Sequence, residues 1–318
     1  MKKFPSIDQF RNVIKDVKIN HDYKGKNENG EPVYSHTEPY PVIEFTGTVK
    51  LHGTNAAIVR YADGRTEFQS RERVLSLEED NAGFMLSMLN KDIDLLFSGI
   101  DYTDYVAVYG EWCGNGIQKG VGISELDKMF VIFAVKADDV WLDVTPSIMH
   151  ERIFHVKQFP HWTMEIDFNN PELSQNRLVD LTNMVEEECP VAKHFGITGV
   201  GEGIVWTTSD RRYCFKVKGE KHSVTKVKTL AEVDVEMVNG VNEFVEYAVT
   251  DARLQQGLDV LRLRGIQIDQ KSTGEFLKWV VGDVIKEESD TLVTNQLDVK
   301  MVNKAISNKA RIWFLNNF

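Results

Sequence analysis

The feature that most narrows what this 318-residue chain can fold into is a change of hydrophobic period along it. Up to about residue 228, apolar residues recur mostly at every second position; beyond it they recur at every third or fourth. The first period belongs to half-buried strands and the second to amphipathic helices. Strands are expected at 42–49, 55–61, 64–70, 105–112, 129–136, 202–208 and 212–218. Helices are expected over SIDQFRNVIKDV, with Ser6 and Gln9 in capping-box spacing, and over LEEDNAGFMLSMLNKDIDLLF. Another is expected over NNPELSQNRLVDLTNMVEEECP, with Asn170 as cap, Pro171 in the first turn and Pro190 past the end. Residues 20–40 are polar, with a turn at NENGEP. After residue 229 come NEFVEYAVTDARLQQGLDVLRLRG, STGEFLKWVVGDVIKEE and LDVKMVNKAISNKARIWFLNNF, all with helical spacing. In the second of these Phe276, Trp279, Val280 and Val284 share a face. The expected class is α+β: a domain over residues 1–228 on antiparallel sheets, then a small all-helical domain over 229–318.

Composition adds limits. Hydrophobic residues at 42% and charged residues at 27% are ordinary for a soluble globular chain. MKKFPSIDQF has two lysines but no apolar segment of a signal peptide, and no run approaches a membrane span. Cys113, Cys189 and Cys214 show no CxxC spacing, so a reducing cytosol is expected, with neither a disulfide framework nor a zinc site. A net charge of −11 argues against broad nucleic-acid binding. Residues 211–228, however, hold seven Lys or Arg against one Glu. Charge alone favours a solvated face there over an anion-binding groove.

Several residues could carry chemistry. In PVIEFTGTVKLHGTN, Lys50 and His52 share one face of an extended chain, with Val49 and Leu51 on the other. Gly53 permits a tight turn or a close ligand approach. Taken alone, a lysine at a strand end is most simply a snorkelling side chain. FQSRERV puts Arg71 and Arg73 on one side of a strand, where surface cross-strand pairing is the ordinary reading. YGEWCGNGIQKGVG places Glu111 before a glycine-rich loop without the GxGxxG order of a dinucleotide site, so a flexible turn is the plain interpretation. In MFVIFAV, Phe133 is either core or a base-stacking platform. In GEGIVW, Glu202 is either a turn residue or a ligand for metal or ribose. CFKVKGEK puts Lys216 and Lys218 on one strand face, with Phe215 and Val217 on the other. Like charges side by side repel unless an anion lies between them or solvent screens them. His150, His155 and His161 match no zinc spacing, and Cys113 and Cys214 lack a histidine partner pattern.

The order of these motifs says more than any one of them. Lys50-x-His52-Gly-Thr-Asn55 is followed by a Ser-Arg strand, Gly-Glu, an aromatic strand, Glu-Gly-Ile-Val and Lys-x-Lys. This order resembles the covalent nucleotidyltransferase superfamily of ATP-dependent ligases and capping enzymes, and within it the RNA ligase 2 family. His52 stands where DNA ligases and capping enzymes usually carry Asp. GEWCGNGIQKGV is similar to that family's third motif with its downstream Gly-Ile-Gln-Lys. The motifs span residues 50–218; the resemblance is weaker over 1–40 and over the helical tail.

The resemblance implies a nucleotidyltransferase fold and an ATP-dependent RNA ligase that seals nicks in duplex RNA. Lys50 would attack the α-phosphate of ATP, release pyrophosphate and become lysyl-AMP. The AMP would pass to an RNA 5′-phosphate, and a 3′-OH would then displace it. It further implies that Phe133 stacks on adenine, Glu111 accepts a ribose hydroxyl, and Arg71, with Arg73 behind it, meets phosphate or ribose. Glu202 would help position Mg2+ or Mn2+, directly or through water, His52 and Asn55 would shape the site, and Lys216 and Lys218 would hold phosphate. Attack needs a neutral amine, and a free lysine titrates at about 10.4; neighbouring cations would depress that value. The helical tail would grip the duplex, although the acidic total, with Glu287, Glu288 and Asp290 in the tail, implies an RNA affinity either modest or confined to a narrow basic stripe. A monomer in the cytoplasm is expected (the host cytoplasm if phage-encoded), with RNA and not a membrane as partner. One alternative is a DNA ligase or capping guanylyltransferase, against which His52 and the lack of an all-β tail weigh. The other is a non-catalytic RNA-binding relative, against which the intact Lys50, Glu202, Lys216 and Lys218 set weighs.

Overall fold

A computed structural model of the chain describes residues 1–146, 152–219 and 240–318. The chain divides into two compact units, Met1–Gly219 and Glu220–Phe318. The boundary expected after Lys228 lies outside the described residues.

In chain order the first unit contains β1 (Asp8–Gln9), α1 (Phe10–Asp22), β2 (Tyr23–Lys26), β3 (Pro32–Tyr34), β4 (Val42–Val49), β5 (Thr54–Tyr61), β6 (Thr66–Ser70) and α2 (Phe84–Leu89). There follow β7 (Tyr105–Cys113), β8 (Met129–Ala137), β9 (Val140–Leu142), β10 (Ile153–His155), β11 (His161–Asp167), α3 (Gln175–Glu187), α4 (Pro190–His194), β12 (Gly203–Thr207) and β13 (Cys214–Lys218). One sheet has the order β1-β13-β12-β4-β11; a second has β10-β8-β7-β5-β6 with β9 on β8; β2 and β3 form a separate hairpin. Pairing is antiparallel except for β1 on β13 and β10 on β8.

Period-two alternation gives the first sheet two chemically different faces. Register sets Val49 beside Ile204, Gly47 beside Trp206, and Trp206 beside Phe215. Gly47 is required there, because a Cβ would run into the Trp206 indole. This apolar face packs under α1 and α3, through Phe10, Val13, Ile14 and Val17 of one and Leu178, Leu181 and Val185 of the other. The opposite face of β13 carries Lys216 and Lys218, both only partly buried.

Local chemistry explains where the elements differ from expectation. No capping box forms at Ser6 and Gln9: Gln9 is itself the extended N-cap, without a side-chain cap bond, because residues 8 and 9 pair with Phe215 and Lys216. Residues 77–97 form no single helix. Ala82 and Gly83 take positive φ, which stops propagation, and the Asp80 carboxylate accepts from the backbone of Met85 and Leu86 to start the short α2. Asn170 precedes a 3-10 turn, Pro171–Ser174, so α3 starts only at Gln175, and Pro190 opens α4. The β2–β3 hairpin is mostly exposed, with little apolar alternation to reveal it, whereas β11 does alternate, with Trp162, Met164 and Ile166 on its more buried face, and is a strand beyond those expected.

The second unit is helical: α5 (Val241–Ala248), α6 (Asp251–Leu263), α7 (Thr273–Glu287), α8 (Ser289–Thr294) and α9 (Val299–Asn317). Phe276, Val280 and Val284 are fully buried in its core with Leu258, Ile306 and Phe314, while Trp279 is partly buried against it. Glu288 is no surface acid. It is fully buried and pairs with the equally buried Arg253 at 3.3 Å. No helix among the described residues is long and apolar enough to cross a membrane.

Candidate active site

The KLHGTN stretch is the crossover between the two large sheets, leaving the first at the end of β4 and entering the second at the start of β5. The Lys50 backbone N–H donates to the Gly203 carbonyl at 2.8 Å, which fixes the stretch beside the start of β12. There the Lys50 ammonium donates to Glu202 Oε2 at 2.8 Å, and His52 Nδ1 meets the same oxygen at 3.2 Å. Lys218 approaches the other oxygen, Oε1, at 3.0 Å. Glu202 is thus a buried carboxylate clasped by two ammonium groups and an imidazole. Burial alone would raise its pKa; Lys50, Lys218 and His52 overcome this and hold it well below the usual carboxylate range. For Lys218, burial pushes the pKa down, and the Lys50 and Lys216 charges add to that against the pull of Glu202.

Gly53 makes the crossover tight. A Cβ at this position would collide with the Trp112 carbonyl and with Cys113. The turn therefore lies directly on β7, where the Gly53 N–H donates to Glu111 Oε1 at 3.0 Å. Glu111 stands opposite Asn55 in the β5–β7 ladder. The glycine-rich loop after β7 returns to the same turn, its Gln118 amide reaching the Gly53 carbonyl at 3.5 Å. Burial drives the Glu111 carboxyl up to about 7; Lys50 opposes the shift and Glu202 reinforces it.

This gives a stability prediction. The unfolded carboxyl titrates near 4.5. A raised folded value contributes stability that is complete below that pH and is lost as pH rises toward about 7. Glu111→Gln keeps an acceptor for Gly53 without the charge. Relative to wild type, the variant is expected to gain up to about 3 kcal/mol between pH 4.5 and 8. Urea unfolding at the two pH values measures it, and a pH-independent difference would refute the assignment.

The remaining expected residues sit further out. Arg71 and Arg73 are not on a strand, because β6 ends at Ser70, whose hydroxyl accepts from the backbone of Glu72 and Arg73 to form a turn. Arg71 reaches Ser6 Oγ at 3.3 Å. Arg73 donates to the carbonyls of Glu79 and Asp80, so it braces the loop before α2. Phe133 lies at a register shift between β7 and β8, in an aromatic cluster with Tyr109, Trp141 and Phe4. The Phe4 ring meets it edge-on at 4.9 Å between centroids. Lys216 shares its strand face with Lys218 and pairs in the ladder with Gln9 and Val205.

Direct contact therefore unites Lys50, His52, Glu202 and Lys218, with Glu111 and Asn55 joined through the Gly53 turn. The chain's first residues, by contrast, border Arg71 and Phe133. The Tyr109 hydroxyl also donates to the Lys2 carbonyl at 3.2 Å. Arg211 donates to the Phe133 carbonyl and lies over the Trp141 ring. Neither Phe4 nor Arg211 stands out in the sequence. A single aromatic in a five-residue lead-in has no period to read, and Arg211 was one charge among seven. Chemically, the cluster offers a primary amine, a second ammonium on the same carboxylate, and a neighbouring carboxyl that titrates near neutrality.

The sequence model of the family described as RNA ligase matches residues 43–228, more than half of the chain. No curated protein matches it. Similar solved structures include Naegleria gruberi RNA ligase with PPi, at 18% identity and a TM-score of 0.42, covering 70% of this chain and 56% of that one. A mutant of the Naegleria gruberi enzyme with ATP and Mn matches at 17% identity and a TM-score of 0.45, with 70% and 56% covered. A further mutant, with AMP and Mn, matches at 16% and 0.44 over the same shares. The chain spans less than two thirds of the length of these structures.

Proposed function

The chain belongs to the RNA ligase family, and from that premise we propose that it is an ATP-dependent RNA ligase that works through lysyl-AMP on Lys50 and seals nicks in duplex RNA. The observation that carries the reading is the Lys50 amine at the sheet crossover, with Lys218 on the far oxygen of the same buried carboxylate.

In the proposed first step Lys50 Nζ forms a bond to the α-phosphorus while the bond to the pyrophosphate oxygen breaks. Nζ must first lose a proton and turn its lone pair away from Glu202. Lys218 and Lys216 would hold the phosphate charge that builds as the phosphorus becomes five-coordinate. Glu111, titrating near neutrality, would exchange a hydrogen bond with a ribose hydroxyl beside Asn55. The AMP would then pass to an RNA 5′-phosphate, and the 3′-OH would form the phosphodiester and release AMP. Glu202 supplies a hard oxygen donor, and with nucleotide phosphates and water it makes the donor set that Mg2+ or Mn2+ takes. A bound ion would neutralise the departing pyrophosphate. The helical unit would hold the duplex, through phosphate contacts that fix register. Three free cysteines suit a reducing cytoplasm, and the reading needs only a monomer.

Intact mass tests the first step. With ATP and Mg2+ the protein should gain one AMP and lose it on adding pyrophosphate; no adduct under any divalent ion would overturn the proposal. Duplexes nicked in RNA or in DNA then test the substrate, and sealing confined to DNA nicks would favour a DNA ligase. Base stacking on an aromatic ring contributes about 1–3 kcal/mol. Phe133→Ala should therefore raise the ATP concentration for half-maximal adduct formation by roughly tenfold or more. Phe4→Ala, which removes only the edge contact, should have a smaller effect. An unchanged ATP dependence in Phe133→Ala would remove Phe133 from the base site.

A further inference from the structure

Three potential metal donors outside the active site meet at the end of α1. His21 and Asp22 close the helix, and His36 returns to them after the β2–β3 hairpin. His21 Nδ1 lies 3.2 Å from Asp22 Oδ1, and His36 Nδ1 lies 3.1 Å from the same oxygen. All three ligand atoms fall within 4.8 Å of one another, the one such group among the described residues. We propose that His21, Asp22 and His36 form a binding site for a borderline transition-metal dication such as Zn2+, which clips the hairpin to the helix.

Three features support this occupant. A four-coordinate Zn2+ with bonds of about 2.0–2.1 Å spaces its ligand atoms by about 3.3 Å. The two imidazole–carboxylate distances already match that edge, so a small relaxation would let the ion replace the shared hydrogen bonds. The donor type also selects the ion: two imidazoles and one carboxylate suit Zn2+, Co2+ or Ni2+, whereas Mg2+ prefers an all-oxygen shell. The hairpin sequence offers no CxxC or close His-x-His spacing, which is why the sequence shows no zinc site until the fold brings residue 36 back to residue 22.

An outer partner is also built in. The Tyr40 hydroxyl donates to Asp22 Oδ2 at 3.2 Å, leaving Oδ1 to face the imidazoles. Such a bond fixes the orientation of a ligating carboxylate. Tyr40 is anchored in turn by two bonds to Asn169, from its N–H to the side chain and from the side chain to its carbonyl, each at 2.8 Å. The Ser35 N–H also donates to the Asp22 carbonyl at 2.8 Å. The donors are therefore held from both sides of the hairpin rather than left to a free loop. The site is separate from the proposed nucleotide chemistry, which calls on none of these residues.

The test uses the full chain in excess Mg2+, so that hard-ion sites are filled. Calorimetry with Zn2+ alone, and visible absorption with Co2+ as the probe, should each report one ion per chain. His36 is half exposed, so His36→Ala should fold, and it should weaken binding by well over tenfold; His21→Ala should do the same. Tyr40→Phe should cost about tenfold through the carboxylate's orientation. Zn2+ should also slow amide exchange over residues 23–36, and only in the wild type. Absence of stoichiometric binding, or binding that persists unchanged in both histidine variants, would overturn the assignment.

Discussion

Lys50→Ala is expected to yield a folded protein that takes up no AMP, with adduct formation reduced on the order of 10³-fold or more. The fold should tolerate the change. The backbone bond from residue 50 to Gly203 does not depend on the side chain, and Glu202 keeps Lys218 and His52 as partners. The cost is one charge-assisted bond to a buried carboxylate, about 1–3 kcal/mol. Lys50→Arg should be equally inactive, because a guanidinium retains its proton and has no lone pair to offer phosphorus. It would nonetheless preserve the positive charge beside Glu202. The pair of variants thus separates nucleophilicity from electrostatics: if Lys50 served only to balance Glu202, arginine would rescue it. Lys218→Ala should behave differently, losing about 10²-fold while still forming some adduct, since its role is to stabilise transferred charge. Radiolabel from ATP appearing on either Lys50 variant would remove Lys50 as the attacking group.

The strands that frame this cluster were legible because each buries one face and leaves the other wet. Phe215 and Val217 against Lys216 and Lys218 is the clearest case, and β13 follows that pattern. The crossover was legible too, since Lys50, Leu51 and His52 alternate as expected and the lysine and histidine reach one oxygen of Glu202. What could not be read was long-range. Nothing local to Glu202 says that it will be clasped by residues 16 and about 150 positions away. Arg71 and Arg73 read as strand residues because charged residues alternate as readily in a turn as in a sheet; the Ser70 hydroxyl decides for the turn. The hairpin over residues 23–34 was unreadable for the opposite reason: its strands bury almost nothing, so no period forms. Glu288 shows the same limit in the helical unit. An acid at a helix end next to another acid reads as solvated, and it is the return of Arg253, with the Tyr247 hydroxyl on the other oxygen, that offsets its burial.

That arginine gives the second large effect. Arg253 has no exposed surface; its guanidinium donates to the Ala248 carbonyl at 2.6 Å and to Glu288 at 3.3 Å, and it forms an ion pair with Asp283 at 2.9 Å. It thereby ties the start of α6 to the end of α7. Arg253→Met fills much of the volume but leaves Glu288 buried without its cation, and the Ala248 carbonyl without its donor. Removing one member of a buried pair costs about 3–5 kcal/mol, whereas replacing the whole pair with apolar groups of similar size is often neutral. The single variant should therefore lose most of the stability of the helical unit. Arg253→Met with Glu288→Leu should regain a large part of it, a non-additivity that identifies the pair as the cause. Chemical denaturation followed by far-UV circular dichroism measures both. The same variants bear on function, because the proposed nucleotide site lies wholly in the first unit. Arg253→Met should still form lysyl-AMP under conditions where the helices are unfolded, yet seal nicked RNA poorly, since in-line attack needs both ends of the nick held. Supplying a nick that is already adenylylated isolates the final step. Full-rate sealing of that nick by a protein with a melted helical unit would show that the first unit alone holds the RNA.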